Sequence, residues 1–285
     1  MSVAPKRLVA LALGAMSMIV SVLVASPAVE ASPTWAPEST ATIKPGVQMY
    51  TNGAQCTANF VFKDGAGNVY VGYAAHCAGT GSSSDTNGCK TPSLPLGTPV
   101  QFVTGGNFFS SGKQVGTGRL AYSSWRTMQR LKVTNANRCA YNDFALVRVD
   151  RASLGKVNPT VPRFGGPVAL ATTALPNGSK IYSVGNSSLR SGSAAAKTGT
   201  VLNSVGGGLG YEIRTGNPGI PGDSGSGFLD SRGRAAGVLS TLNVGLALTP
   251  VTNTMGFLGA EVVWAQKYAG ISGLVLVRGT RGFTP

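Results

Sequence analysis

Residues 221–227 read Pro221-Gly222-Asp223-Ser224-Gly225-Ser226-Gly227. A serine hydroxyl is a poor nucleophile until a base takes its proton and amide donors stabilise the resulting oxyanion. Glycines beside it let backbone N–H groups turn toward one point and let a substrate approach closely. Alone, the same string also describes a glycine-rich hairpin turn. The rest of the chain separates the two readings.

The 285 residues include a single histidine. Any imidazole chemistry therefore uses His76, which excludes multi-histidine metal sites such as H-E-x-x-H or three-histidine zinc. His76 lies in Gly72-Tyr73-Ala74-Ala75-His76-Cys77-Ala78, at the end of an apolar strand. Asp143 lies in Tyr141-Asn142-Asp143-Phe144-Ala145-Leu146-Val147, opening a strand with few carboxylates nearby. Singly, these are a core histidine and a strand-leading turn residue. Together with Ser224 they supply base, orienting carboxylate and nucleophile in the order His, Asp, Ser. An α/β-hydrolase arrangement is excluded, because no histidine follows Ser224 and Ser226 breaks G-x-S-x-G. A subtilisin order would need Asp64, which falls in an apparent hairpin turn of an all-β region.

Composition agrees with an all-β chain. It is 42% hydrophobic, only 12% charged, and carries 40 glycines, against about 25% charged residues in an ordinary globular protein. That excludes a long solvated helix or a charged disordered segment. Short runs rich in Val, Ile, Thr, Tyr and Phe are bounded by Gly, Asn, Asp or Pro. Residues 47–50, 58–63, 69–74, 99–103, 114–122 and 144–149 form a first set. Residues 168–171, 180–184, 197–204, 210–215, 227–229 and 234–242 form a second. Asp64-Gly65-Ala66-Gly67-Asn68 and Asp230-Ser231-Arg232-Gly233 read as hairpin turns. Two sets of about six strands predict two packed β units, residues 46–155 and 156–285. Residues 80–138, with their glycine- and serine-rich pieces, read as a long insertion in the first. The only helical pattern is 257–269, with Leu258, Val262, Val263 and Tyr268 for its apolar face and Gly270 as a stop.

At the amino end, Lys6 and Arg7 precede an uncharged stretch, Leu8 to Ala25, and then Val29-Glu30-Ala31. This describes a secretory signal peptide over 1–31, with an uncleaved anchor as the alternative. Residues 32–45, rich in proline, serine, threonine and alanine, read as an extended lead-in rather than a packed element. Export makes the four cysteines candidates for two disulfides. Of three connectivities, Cys56 with Cys77 and Cys89 with Cys139 are favoured; the first would tie a hairpin beside His76, the second would staple the base of the insertion. A Cys₃His zinc site is disfavoured because adjacent His76 and Cys77 lack C-x₂₋₄-C spacing. The formal charge is +14, with Arg126, Arg130, Lys132 and Arg138 its nearest approach to a cluster. The plain reading is a solvated face, the alternative a surface for anionic cell-wall polymers or acidic proteins. No aromatic-interleaved basic motif suggests nucleic acid, and no later segment is apolar enough to span a bilayer. The chain is expected to be a monomer.

With the three motifs in place, the chain resembles the chymotrypsin-like (trypsin-like, S1) serine endopeptidases in a bacterial secreted form. The resemblance rests on Ala74-Ala75-His76-Cys77, Asn142-Asp143-Phe144-Ala145-Leu146 and Gly222-Asp223-Ser224-Gly225, and covers about residues 46–270. It implies two antiparallel Greek-key β-barrels with the active site in the cleft between them, His76 and Asp143 from the first and Ser224 from the second. It further implies an oxyanion hole from the N–H groups of Gly222 and Ser224, a hydrogen bond from Ser240 to Asp143, and no metal or organic cofactor. The substrate would be a protein or peptide. Competing readings are a catalytically silent homologue serving as a binding module and an esterase-type hydrolase on the same barrels.

The departures from the family pattern are informative. Gly225-Ser226-Gly227 replaces Gly-Gly-Pro. No Ile-Val-Gly-Gly activation site follows a basic residue, so Asp223 is expected to pair with an arginine instead of a new amino terminus. The lead-in is too short for a folding pro-domain. Pro218 stands where trypsin-like members carry an acid, and Leu242 follows Ser240-Thr241 where glycine often keeps the pocket open. A small or medium apolar preference is therefore expected, with glutamate disfavoured because the sole histidine is already engaged.

Overall fold

The computed structural model of the chain describes residues 1–2, 34–81, 85–190, 194–244 and 251–285. The chain divides into two compact units, Met1–Glu30 and Ala31–Pro285. Only the first two residues of the former are described, so the signal-peptide reading lies outside the described residues. All the strands and helices among the described residues belong to the second unit. Among the described residues no helix is long and apolar enough to cross a membrane.

In chain order the strands are β1 Gln48–Thr51, β2 Ala54–Thr57, β3 Val61–Lys63, β4 Val69–Tyr73, β5 Pro99–Thr104, β6 Lys113–Ser123, β7 Ala145–Val149, β8 Lys180–Gly185, β9 Ala195–Val205, β10 Gly210–Thr215, β11 Gly227–Asp230, β12 Ala235–Asn243, β13 Thr252–Phe257 and β14 Val275–Leu276. The helices are α1 Ser124–Arg130, α2 Ala136–Tyr141 and α3 Leu258–Tyr268. Both expected hairpin turns form. Asp64 Oδ1 accepts the N–H groups of Ala66 and Asn68, and Asp230 Oδ1 accepts those of Arg232 and Arg234, so each aspartate folds its own turn.

The first sheet runs β14-β3-β4-β7-β6-β5-β1-β2. Its ends are joined through one bent segment. Ala58 exchanges hydrogen bonds with Gly46 and Val47 beside β1, and the next residues, Asn59 and Phe60, exchange them with Gly72 of β4. The bend thus hands the ladder from one edge to the other and rolls the sheet into a barrel, with β14 appended. The second barrel closes outright in the order β10-β13-β12-β11-β8-β9. The two-barrel expectation is met, and its packing is that of alternating buried side chains such as Val71 and Val147 in the first and Ile181, Tyr211, Ile213 and Met255 in the second.

Several expectations need correction. Within residues 80–138 the strands expected at 99–103 and 114–122 form as β5 and β6, staves of the first barrel, but α1 and α2, which follow them, were not expected. Ser123 and Asn135 cap these helices by accepting from Arg126 and Arg138 N–H, a signal short enough to be lost among polar residues. Residues 168–171 make one isolated parallel bridge, Leu170 to Ala235, and not a strand of the barrel, although Val168 and Ala171 donate to Gly233 and Ala235 and Ala169 accepts from Ala235. β13 was not expected; its sequence, Thr-Asn-Thr-Met-Gly-Phe, is too polar to read as a strand. The lead-in is packed, not loose. Ile43 is fully buried and bridges Val157, and Ala36 N–H reaches Val157 O at 2.9 Å.

The carboxyl-terminal segment does not stay with the second barrel. Leu258, Val262 and Ala265 of α3 join the buried cluster that holds Phe60, Trp125 and Phe144, and β14 pairs with Phe62 and Lys63 of β3. On α3 the expected apolar face is rotated: Val263 is 63% exposed, and Glu261 takes an inward position.

Candidate active site

Both disulfides form as favoured, Cys56–Cys77 and Cys89–Cys139. The first ties β2 to the 3-10 turn Ala75–Ala78 that follows β4, rather than two strands of one hairpin. That turn carries His76, so the bridge anchors the backbone of His76. Cys56, Cys77 and His76 are close enough together to hold a metal ion, but the two sulfurs are bonded to each other and cannot ligate. The second bridge joins the turn at Cys89 to α2, which leads straight into Asn142 and Asp143.

Asp143 is gripped along its whole length. Its Oδ1 accepts the main-chain N–H of His76 at 2.9 Å, and its Oδ2 meets His76 Nδ1 at 2.7 Å and the hydroxyl of Ser240 at 2.6 Å. Ser124, at the head of α1, braces the flanks: its hydroxyl donates to Asn142 O at 2.8 Å and accepts from Phe144 N–H at 3.0 Å. With Nδ1 committed to Asp143, the ring's remaining nitrogen, Nε2, is the one free to exchange a proton. Burial would hold the His76 pKa down, but the adjacent Asp143 charge and hydrogen bond outweigh it and hold it above the usual value. Burial would raise that of Asp143, and the charge and hydrogen bond of His76 with that of Ser240 hold it below. The pair favours an ionised carboxylate and an imidazole more basic than usual.

His76, Asp143, Ser224 and Ser240 all line one cleft cavity of about 650 Å³ between the barrels. Ser224 is set in a tight crossing. Its carbonyl accepts from Thr57 N–H of the first barrel at 2.8 Å, and the next N–H, of Gly225, bonds Leu239 O at 2.7 Å. Gly225 has φ +87°, and a Cβ there would stand 2.6 Å from Thr57 O and 2.8 Å from Ala74 N. Only glycine allows the barrels to meet this closely beside the serine. Gly222 has φ +92°. Its carbonyl accepts from Gln55 Nε2 at 3.0 Å and Thr57 Oγ1 at 2.8 Å, both on β2, which turns that carbonyl away from the cleft's centre.

Asp223 is fully buried and paired with two cations. Arg190 Nη2 lies 2.8 Å and Lys197 Nζ 2.9 Å from its Oδ2, while Ser187 N–H donates to its Oδ1 and Ile220 N–H to its Oδ2. The expected arginine is there; the lysine was not anticipated. Burial holds the Lys197 pKa below the usual value, against the pull of Asp223. The Nη2 of Arg190 and the Nζ of Lys197 also donate to Pro218 O. Pro218 therefore faces this ionic cluster and does not line the cleft, whereas Thr241 and Leu242 do.

Beyond Ser224 the cleft runs between Gly219–Gly222 and Leu239–Leu242. Asn253 laces these walls: its Oδ1 accepts Gly219 N–H at 2.8 Å, and its Nδ2 donates to Gly219 O at 3.0 Å and Thr241 O at 3.1 Å. A Cβ on Gly219 would stand 2.5 Å from Leu239 Cδ2, so Leu239 fills the base. Sequence reasoning missed Asn253, Leu239, Ser124, Gln55, Thr57 and Lys197; only Lys197 carried a signal, as a charge inside a strand pattern.

Three residues of the sequence's basic cluster are tied to neighbouring groups. Arg126 donates to the carbonyls of Ser93 and Leu94, Arg130 to that of Tyr268, and the guanidinium of Arg138 lies 4.4 Å from the Trp264 ring centroid.

The family model of the trypsin-like peptidase domain matches residues 74–238. Among solved structures, the thermostable serine protease AL20 from an extremophilic microorganism is 19% identical, with 82% of this chain and 97% of that one covered at a TM-score of 0.50. Thermobifida fusca protease A is 18% identical, with 83% and 99% covered at 0.49. At these identities the likeness is one of fold. None of the curated proteins matches. The chain belongs to the trypsin-like peptidase domain family. It is a serine-type peptidase, a hydrolase that acts on protein or peptide substrates.

Proposed function

We propose that the chain is a secreted serine endopeptidase working through Ser224, His76 and Asp143 and an acyl-enzyme intermediate. What supports this reading most is the double grip of the Asp143 carboxylate on His76, through its main-chain N–H and its Nδ1, in the cleft that Ser224 lines. Ser224 Oγ attacks the scissile carbonyl carbon while its proton passes to His76 Nε2. The oxyanion accepts from Gly222 and Ser224 N–H. Collapse expels the amine with the proton from His76, and water repeats the sequence on the ester. Asp143 stays ionised, fixing the tautomer and stabilising the imidazolium.

The first barrel, 46–155, contributes base and carboxylate; the second, from 156, contributes the nucleophile. Residues 1–31 serve as the export signal, and the mature chain acts as a monomer. Cleavage follows small or medium apolar side chains. The support for this is that Asn253 spends its polar atoms on the pocket walls and Leu239 fills the base. A fluorophosphonate probe should label Ser224, and Ser224→Ala or His76→Ala should abolish labelling and peptide hydrolysis. Hydrolysis undiminished in His76→Ala overturns the mechanism. Turnover of small esters without peptides would mark an esterase, and no turnover of either a silent homologue.

A further inference from the structure

A second acid touches Asp143. Glu261, in the first turn of α3, is 2% exposed, and its Oε1 accepts the main-chain N–H of Asp143 at 2.9 Å. It reaches there because residue 256 is glycine, where a Cβ would stand 2.4 Å from Oε1. The main chain around Asp143 is thus held at three consecutive points. Two of them, Asn142 O and Phe144 N–H, are held by Ser124; the middle one is held by Glu261 alone.

The surroundings keep this acid uncharged. Its Oε2 and the neighbouring Tyr122 hydroxyl on β6 are buried with no hydrogen-bond partner among the described residues. The titratable groups facing it are Asp143, with His76 beyond it, and Tyr122; Arg138 of α2 acts on the Tyr122 hydroxyl and not on Glu261. No cation among the described residues pairs with it within salt-bridge distance. Burial, with a smaller push from the Asp143 charge, raises its pKa to about 8 against the pull of the Asp143 N–H. A neutral carboxyl can accept the N–H without setting a second negative charge against the Asp143 carboxylate.

We propose that Glu261 is a positioning residue for Asp143, fixing through its main-chain N–H the point at which the carboxylate meets His76 and Ser240. This rests on the triad reading above. Misplacement of a reacting group by about 1 Å costs on the order of 100-fold in rate, and a buried N–H left without its acceptor costs the free energy of a lost hydrogen bond, which a shift of this main chain would relieve. A glutamine offers the same uncharged acceptor; a leucine offers none.

Glu261→Gln, Glu261→Leu and Gly256→Ala are compared with the wild-type chain and Ser224→Ala in steady-state peptide hydrolysis at pH 7, with melting curves for each. Gly256→Ala displaces the carboxyl without deleting it and covers the case in which the leucine variant does not fold. The expected result is kcat reduced about 10- to 100-fold in the folded leucine or Gly256→Ala variant with KM within about twofold, and kcat within about threefold in the glutamine variant. The proposal is overturned if the leucine and Gly256→Ala variants keep wild-type kcat, or if the glutamine variant falls as far as they do. Full activity in Ser224→Ala would instead overturn the triad reading itself.

Discussion

Ser187 donates a 2.5 Å hydrogen bond to the carbonyl oxygen of Pro221, and its hydroxyl oxygen in turn accepts the N–H of Leu189. In a trans peptide the C=O and N–H point in opposite directions. Holding the Pro221 carbonyl against buried Ser187 therefore aims the Gly222 N–H the other way, as an oxyanion donor must be aimed. Ser187→Ala frees this peptide to rotate. The variant should lose about tenfold in kcat, less than the 100- to 1,000-fold of deleting an oxyanion donor, with little change in KM. An unchanged kcat would show that Gln55 and Thr57, which hold the next carbonyl, suffice.

The His76–Asp143 pair sets the pH dependence. With His76 as the proposed base, catalysis needs it neutral, and its pKa is held above the usual value of about 6.5. The kcat/KM profile should therefore rise with pH through a midpoint above about 6.5. Ser240→Ala removes a hydrogen bond that favours the Asp143 carboxylate, making that carboxylate more basic and His76 with it, so its midpoint should move to higher pH. Stability runs the other way. A raised histidine pKa contributes stability fully present below about 6.5 and lost as pH rises through the folded value, so activity is gained in the window where this stabilisation fades.

Two cations on Asp223 make each other partly redundant. Arg190→Met or Lys197→Met leaves the carboxylate with one partner and should lower kcat/KM by less than about tenfold. The double variant leaves a buried, unpaired carboxylate one residue before Ser224, and its loss should exceed the product of the singles. Strict additivity in a double-mutant cycle would contradict shared anchoring of Asp223.

In the proposed apolar pocket Leu239 is the residue that limits volume. Leu239→Ala opens space of several methylenes beside Gly219, and each methylene in an apolar pocket is worth about 1–3 kcal/mol of discrimination. Peptide-library profiling should shift from alanine- or valine-sized residues toward leucine and phenylalanine. An unaltered profile would place the specificity elsewhere.

The site was legible where chemistry forces residue type. A lone histidine, a strand-opening aspartate and a glycine-flanked serine have few other joint explanations, and the cysteines added the frame. What could not be read is what depends on long-range meeting. Glu261 looks like a polar slip in an amphipathic helix until α3 is seen against the Asp143 turn, 118 residues away in sequence. Lys197 looks like a solvated strand residue until Asp223 is opposite it. The fold was legible in the same proportion: β strands with strong alternation were visible, whereas β13 and the short capped helices in 124–141 are shaped by their neighbours more than by their own composition.

The return of α3 and β14 to the first barrel gives the molecule two seams instead of one. The barrels are joined by the chain between β7 and β8, and again by the segment that leaves β13 and pairs with Phe62 and Lys63. A cut in the first connection, whether self-inflicted or by another peptidase, would leave both halves laced together with the cleft intact. A single nick there is then a scar and not a severance.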